Sequence, residues 1–197
     1  QTCALPICDI LGVAMFDSAE IRIHPTGSII ARMGSKSQGQ GHETVFAQIL
    51  AGALGVPVER VDIHQGDTRS IPRGGGTGGS SSTIISGTTL RRAADVVIQR
   101  GRDLAAERLE TAVADIAYRD GAFEIVGTDR RIGLFELAGR QPGGSIVVSA
   151  DATAGAPSWP NACHVCEVEL DPDTGAVQIA AYASVNDIGR VVSPTIV

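Results

Sequence analysis

Five consecutive residues, Gln38-Gly39-Gln40-Gly41-His42, put two amide side chains, two glycines and an imidazole directly ahead of an amphipathic segment. Such a set can hold a ligand. Glycine lets backbone N–H groups approach a bound molecule closely. A helix starting just beyond adds unpaired N–H groups and the positive end of its dipole, which suits an anion. A glutamine amide carries donors and an acceptor, and so fits a heterocycle or an oxo group better than a bare phosphate. The competing reading is a plain hairpin-to-helix connection, because most helix N-termini bind only water.

A second cluster, Gly74-Gly75-Gly76-Thr77-Gly78-Gly79, runs into Ser80, Ser81 and Ser82. Gly74, Gly76 and Gly79 formally satisfy the dinucleotide fingerprint G-x-G-x-x-G. That fingerprint works directly between a strand and a helix, with an acid about 20 residues further on. Here Pro72-Arg73 precede it and a serine run follows, and no G-K-[ST] makes it a Walker loop. What remains is a glycine and hydroxyl loop rich in N–H groups, a second anion cradle. The serines lack a His–Asp signature, which argues against a hydrolase nucleophile.

Other reactive residue types are weaker candidates. Cys163 and Cys166 form a C-x-x-C, but a zinc knuckle needs a second pair, and Cys3 and Cys8 have the wrong spacing. All four cysteines are expected to be thiols of a reducing, cytoplasmic compartment. Cys166 is expected where a loop gives way to the strand CEVEL, and a free cysteine is most often a small buried hydrophobe. The four histidines show no H-x-x-x-H spacing. DPDTG, 171–175, lacks the remaining ligands of a calcium loop and reads as a hairpin turn. No metal ligand is assigned.

The elements that must position these loops follow from periodicity. Ile21 and Ile23 alternate with charged neighbours, and SIIARMG returns after HPTG, so 19–33 reads as a hairpin. Val45, Phe46, Ile49, Leu50, Ala53 and Leu54 recur at helical spacing until Gly55, with Pro57 beginning the exit. VERVDIH, 58–64, alternates as a strand. Residues 65–82 form a loop long enough to suggest function. Leu90, Ala94, Val97, Gly101, Leu104 and Ala105 mark a second helix over roughly 86–113. DIAYRDGAFEIV is a hairpin with Asp120-Gly121 at its turn, GLFELAG a short helix, SIVVSADAT a strand, and the segment 163–185 a last hairpin. Hairpins interleaved with two main helices describe an α+β fold rather than a parallel doubly wound sheet.

The bulk properties narrow the function classes. A net charge of −6 over 197 residues argues against a nucleic-acid partner. Apolar residues at 43% support a real core. No apolar run reaches the roughly 18 residues a membrane span needs. The opening words QTCALPI resemble an in-frame translation of a sequencing-library adapter. Residues 1–7 are therefore expected to be a non-native tail, and 8–197 a partial domain truncated at both ends.

Taken in order, SQGQGHETVFAQILAGALGVPVERVDIHQGDT, GTGGSSS, PNACHVCEVELDPDTGAV and NDIGRVVSPTIV resemble the molybdenum-cofactor-binding large subunit of the xanthine dehydrogenase family, in its aerobic carbon-monoxide-dehydrogenase-type form. The resemblance implies a molybdenum hydroxylase fragment. Its cofactor would be molybdopterin, commonly the cytosine dinucleotide form, with water as the oxygen source. Iron–sulfur and flavin partners in a hetero-oligomer would take the electrons. It implies cofactor contacts at Gln38, Gly39, Gln40, Gly41 and His42, at Gly78, Gly79, Ser80 and Ser82, and at Cys166. Ser81 stands where the family usually has arginine. The family's catalytic glutamate would lie beyond Val197, so no catalytic residue is assigned. The alternatives are a non-catalytic nucleotide- or anion-binding module and a degenerate structural homologue.

Overall fold

The computed structural model describes residues 16–71, 73–153 and 161–196. Strand β1 (Phe16–Ile23) buries every second residue, placing Ala19, Ile21 and Ile23 inward. The chain turns at His24–Ser28, and β2 (Ile29–Met33) returns antiparallel with Ile29, Ala31 and Met33 on the same inner face. Helix α1 (His42–Leu54) stacks Phe46, Leu50 and Leu54 at four-residue intervals, and all three are fully buried. Gly55, at φ 60°, ends it by donating its N–H to Ala51 C=O.

Strand β3 (Val61–Gln65) starts later than expected. Pro57 instead feeds a 3₁₀ turn over Val58–Arg60, closed by Arg60 N–H to Pro57 C=O at 3.1 Å. Helix α2 (Ser82–Leu109) begins and ends about one turn earlier than the apolar pattern suggested. At its start, Ser86 and Thr89 are buried because the Ser86 hydroxyl bonds the Asp17 carboxylate and the Thr89 hydroxyl bonds back to Ile85 C=O, so polar residues there do not mark a loop. At its end, Glu110 adopts φ 53°.

A small antiparallel sheet follows: β4 (Ile116–Arg119), β5 (Ala122–Ile125) and β6 (Arg131–Gly133). Asp120 and Gly121 both have positive φ, the geometry of a tight hairpin turn. The three-residue β6 is too short to show alternation. Next come α3 (Leu134–Gly139) and β7 (Ile146–Thr153), which pairs antiparallel with β1. The last hairpin, β8 (Asn161–Leu170) with β9 (Val177–Asp187), forms a separate two-stranded sheet exposed along its length.

The architecture is α+β. The main sheet has the order β3-β2-β1-β7, and β2–β3 is a parallel pair joined through α1. Both helices pack on the inner face, where Phe46, Leu50, Leu90, Ala93 and Val97 meet Ile21, Ile23, Ile29 and Val148 in one core. The outer face is polar, with Arg32 donating to Glu20 at 2.5 Å. Because β2 and β3 run parallel, their carboxyl ends emerge at one edge, and both glycine-rich loops leave from it. The antiparallel pairing of Phe16 with Thr153 brings the start of β1 and the end of β7 to that edge as well. Residues 1–7, expected to be a non-native tail, and Cys3 and Cys8 lie outside the described residues.

Candidate functional site

The first loop closes on itself. Gly39 and Gly41 take φ values of 99° and 76°, which only glycine adopts without strain. Gln38 N–H donates to Gln40 Oε1 at 2.5 Å. That bond leaves the Gln40 amide hydrogens without a protein partner among the described residues. Gln38, Gly39 and Gln40 are exposed, and a Cβ added at Gly39 would meet nothing within 4 Å.

Beneath this open surface lies a buried polar cluster. His42, only 4% exposed, is the first residue of α1 and stacks on Phe46, with ring centres 4.7 Å apart. Its Nδ1 lies 3.5 Å from Gln65 Nε2, which also donates to the fully buried Ser35 hydroxyl at 2.8 Å. Desolvation lowers the His42 pKa, outweighing the upward pulls of Glu43, Gln65 and Asp17. The imidazole is therefore a neutral brace facing the interior. Ser37 donates to the Glu43 carboxylate at 3.2 Å. Glu43's own backbone N–H, and then Ser37, hold that carboxyl below its usual pKa.

The second loop is stitched to the first. Lys36 N–H donates to Thr77 Oγ1 at 3.1 Å, and the Thr77 hydroxyl donates to Lys36 C=O at 2.5 Å. Ser82 Oγ lies 3.5 Å from the same hydroxyl. The backbones of Gly34 and Gly74 touch so closely that a Cβ on Gly34 would stand 2.5 Å from Gly74 Cα. Gly75 N–H donates to Phe16 C=O at 3.1 Å. Gly79 and Ser80 both take φ 56°, and Ser81 Oγ donates to Gly78 C=O at 2.6 Å. Under this junction the buried Asp17 carboxylate accepts from the Ser86 hydroxyl at 2.6 Å and Ser18 N–H at 2.9 Å.

Two helices thus begin at one edge, behind glycine loops joined to each other. The N-cap positions are Gly41 and Ser81, and neither supplies a side-chain cap. Their first-turn N–H groups are the donors an anionic ligand would use. A cavity of about 280 Å³ adjoins the first loop, lined in part by Lys36, Ser37, Glu43 and Gln65.

Of the residues singled out from sequence, Gln38–His42 and Gly78–Ser82 fall on these two joined loops. Cys166 stands apart. It lies in the middle of β8, paired opposite Tyr182, because that strand starts at Asn161 rather than at the cysteine. Cys163 and Cys166 are exposed free thiols, three positions apart on a strand and hence on opposite faces. Among the described residues, no cluster of His, Cys, Asp or Glu could hold a metal ion, and no helix is long and apolar enough to cross a membrane. Sequence reasoning missed Asp17, Ser35, Gln65 and Ser86, and it placed Thr77 in the second loop without its bonds to Lys36. Asp17 left a trace, as an acid at an inward position of an alternating strand.

A family model for a molybdopterin cofactor-binding domain matches residues 4–197. The chain is 38% identical to the carbon monoxide dehydrogenase large chain of Hydrogenophaga pseudoflava, over 97% of its own length and 25% of that protein. It is 34% identical to the 6-hydroxypseudooxynicotine dehydrogenase complex subunit gamma of Paenarthrobacter nicotinovorans, over 95% of the chain and 25% of that protein. A solved Cu,Mo-CO dehydrogenase matches with a TM-score of 0.78 at 40% identity, covering 96% of this chain and 25% of that one. Quinoline 2-oxidoreductase from Pseudomonas putida 86 matches with a TM-score of 0.76 at 34% identity, over 97% of this chain and 26% of that one. The chain therefore spans about a quarter of the length of these relatives. With the family model matching residues 4–197 and the fold in agreement, the chain belongs to the molybdopterin cofactor-binding domain family.

Proposed function

We propose that this chain is the cofactor-cradling part of a molybdenum hydroxylase, an oxidoreductase, and that its two joined loops hold molybdopterin. The observation that carries this reading is the pair of helix N-termini without side-chain caps, brought together by the Thr77–Lys36 bonds. The residues suit an extended, anionic, heterocyclic group. Gly39, Gly76 and Gly78 have open space where a Cβ would be. Gln38 and Gln40 are exposed amides.

In this reading the Gln38 and Gln40 amides orient the ligand, and the N–H groups of Gly39, Gly41 and His42 approach it. The His42 imidazole braces the loop from beneath. Gly78, Gly79, Ser80 and Ser82 form the second wall. The expected arginine at Ser81 is absent, and the Ser81 hydroxyl is engaged by Gly78, so this wall holds its ligand through hydroxyl and N–H groups. Cys166 is a further proposed contact from the hairpin, though the reading rests on the loops. No catalytic residue is assigned within the chain.

When bound, molybdopterin supplies a molybdenum centre that oxidises a small substrate with oxygen taken from water. The cytosine dinucleotide form is proposed from the likeness to carbon monoxide dehydrogenase large chains. Iron–sulfur and flavin partners in a hetero-oligomer, and a cytoplasmic setting, complete the proposal. The free thiols Cys163 and Cys166 are consistent with a reducing compartment. The test is molybdenum analysis of the full-length protein carrying Gln40→Ala. Lowered metal content with the fold intact supports the assignment, and unchanged content refutes it.

A further inference from the structure

After β9 the chain comes back to the first loop. Ser193 is 3% exposed, and its C=O accepts the Ile196 N–H at 3.1 Å, closing a four-residue turn. Pro194 occupies the second position of that turn, where its fixed φ is favourable. The turn seats Ile196 on Gly41. A Cβ built on Gly41 would lie 2.9 Å from Ile196 Cδ1, and its next two neighbours, at 3.6 and 3.7 Å, also belong to Ile196.

Gly41 is the pivot of the first loop. Its left-handed conformation bends the chain into α1, and its C=O accepts the Val45 N–H at 3.1 Å. A glycine there is free to leave that conformation, and no side chain caps the helix start. At the other left-handed glycine of the loop, Gly39, a Cβ would meet nothing within 4 Å among the described residues. One pivot is therefore held and the other left open.

We propose that the Ser193–Ile196 turn is a clamp on the first loop, with Ile196 as a positioning residue that holds Gly41 and the start of α1 in their ligand-ready backbone. The consequence for cofactor retention rests on the cradle reading given above; the effect on the backbone does not.

The experiment compares Ile196→Ala and Ile196→Val with the parent in the full-length protein by amide hydrogen exchange, with thermal unfolding as a control. Ile196→Ala is expected to speed exchange of amides 41–45 roughly fivefold to tenfold, as local opening loses an apolar cover, while Val restores most of the protection. The unfolding midpoint should barely move, because Ile196 is 43% exposed. Unchanged exchange at 41–45, or a uniform rise across α1 and α2 with a lowered midpoint, overturns the clamp. In the full-length protein, molybdopterin content is then measured for Ile196→Ala beside Gln40→Ala. A loss in both supports the positioning role. A loss in Gln40→Ala alone overturns that role and keeps the cradle. A loss in neither overturns the cradle and leaves the backbone clamp to the exchange result.

Discussion

The loop at 34–41 is short and braced from below by buried side chains, whereas the loop at 66–81 is longer and takes its place from contacts to the first loop and to β1. Under the first lie Ser35, His42, Gln65 and Phe46, all drawn into one cluster. The second borrows its position: Thr77 bonds Lys36, Gly74 lies on Gly34, and Gly75 bonds Phe16. The difference gives the site a hierarchy. Disturbing the first loop should move both, and disturbing the second should stay local.

The strongest break of that hierarchy is Gly34→Ala. Its methyl group would stand 2.5 Å from Gly74 Cα and 2.7 Å from Arg73 C=O, backbone atoms that cannot swing aside, and 2.5 Å from the side-chain Oδ1 of Asp17. Overpacking of this kind costs about 2–3 kcal/mol, or roughly 5–10 °C of Tm in a domain of this size. Calorimetry should show the loss, and exchange should rise in both loops. His42→Ala comes next. It opens a cavity beside Phe46 and removes a partner of Gln65, a loss of about 2 kcal/mol measurable by denaturant unfolding.

The same histidine makes the first loop sensitive to pH just below neutrality. Burial lowers its folded-state pKa below the ordinary 6.5, so between those two values the unfolded chain binds more protons than the folded one. Stability from neutral His42 is full above pH 6.5 and declines as pH falls toward the folded pKa. His42→Gln should flatten stability against pH in that window, and an unchanged slope would mean that His42 is not its source. Thr77→Val is the mildest change. It removes the hydroxyl that bridges Lys36 N–H and C=O, at about 1 kcal/mol. Exchange should rise at 74–82 while 38–42 stays protected. A rise in both loops would reverse the hierarchy.

Much of this was legible in the sequence wherever the signal was local. Alternation marked β1, helical spacing marked α1, and Asp120-Gly121 marked a hairpin turn. Both glycine loops stood out because residues without a Cβ, gathered near a helix start, are rare unless the backbone must bend or make room. The rest depended on distant partners. Nothing in a linear pattern couples Thr77 to Lys36, 41 positions away, or Ser86 to Asp17, 69 away. The parallel pairing of β2 with β3 decides that both loops share an edge, yet it is a property of the crossover through α1 rather than of either strand. Cys166 shows the converse. Its local context suggested a strand start and a small buried residue, while the register places it mid-strand on an exposed hairpin.

The central claim is that the two loops hold molybdopterin jointly. Its most direct test is molybdenum and molybdopterin content per chain in the full-length protein carrying Gln40→Ala, Ser82→Ala, or both, with unfolding midpoints as the folding control. The joint cradle predicts a loss from each single variant and a deeper loss from the pair, at parental midpoints. Parental cofactor content in the double variant would contradict it.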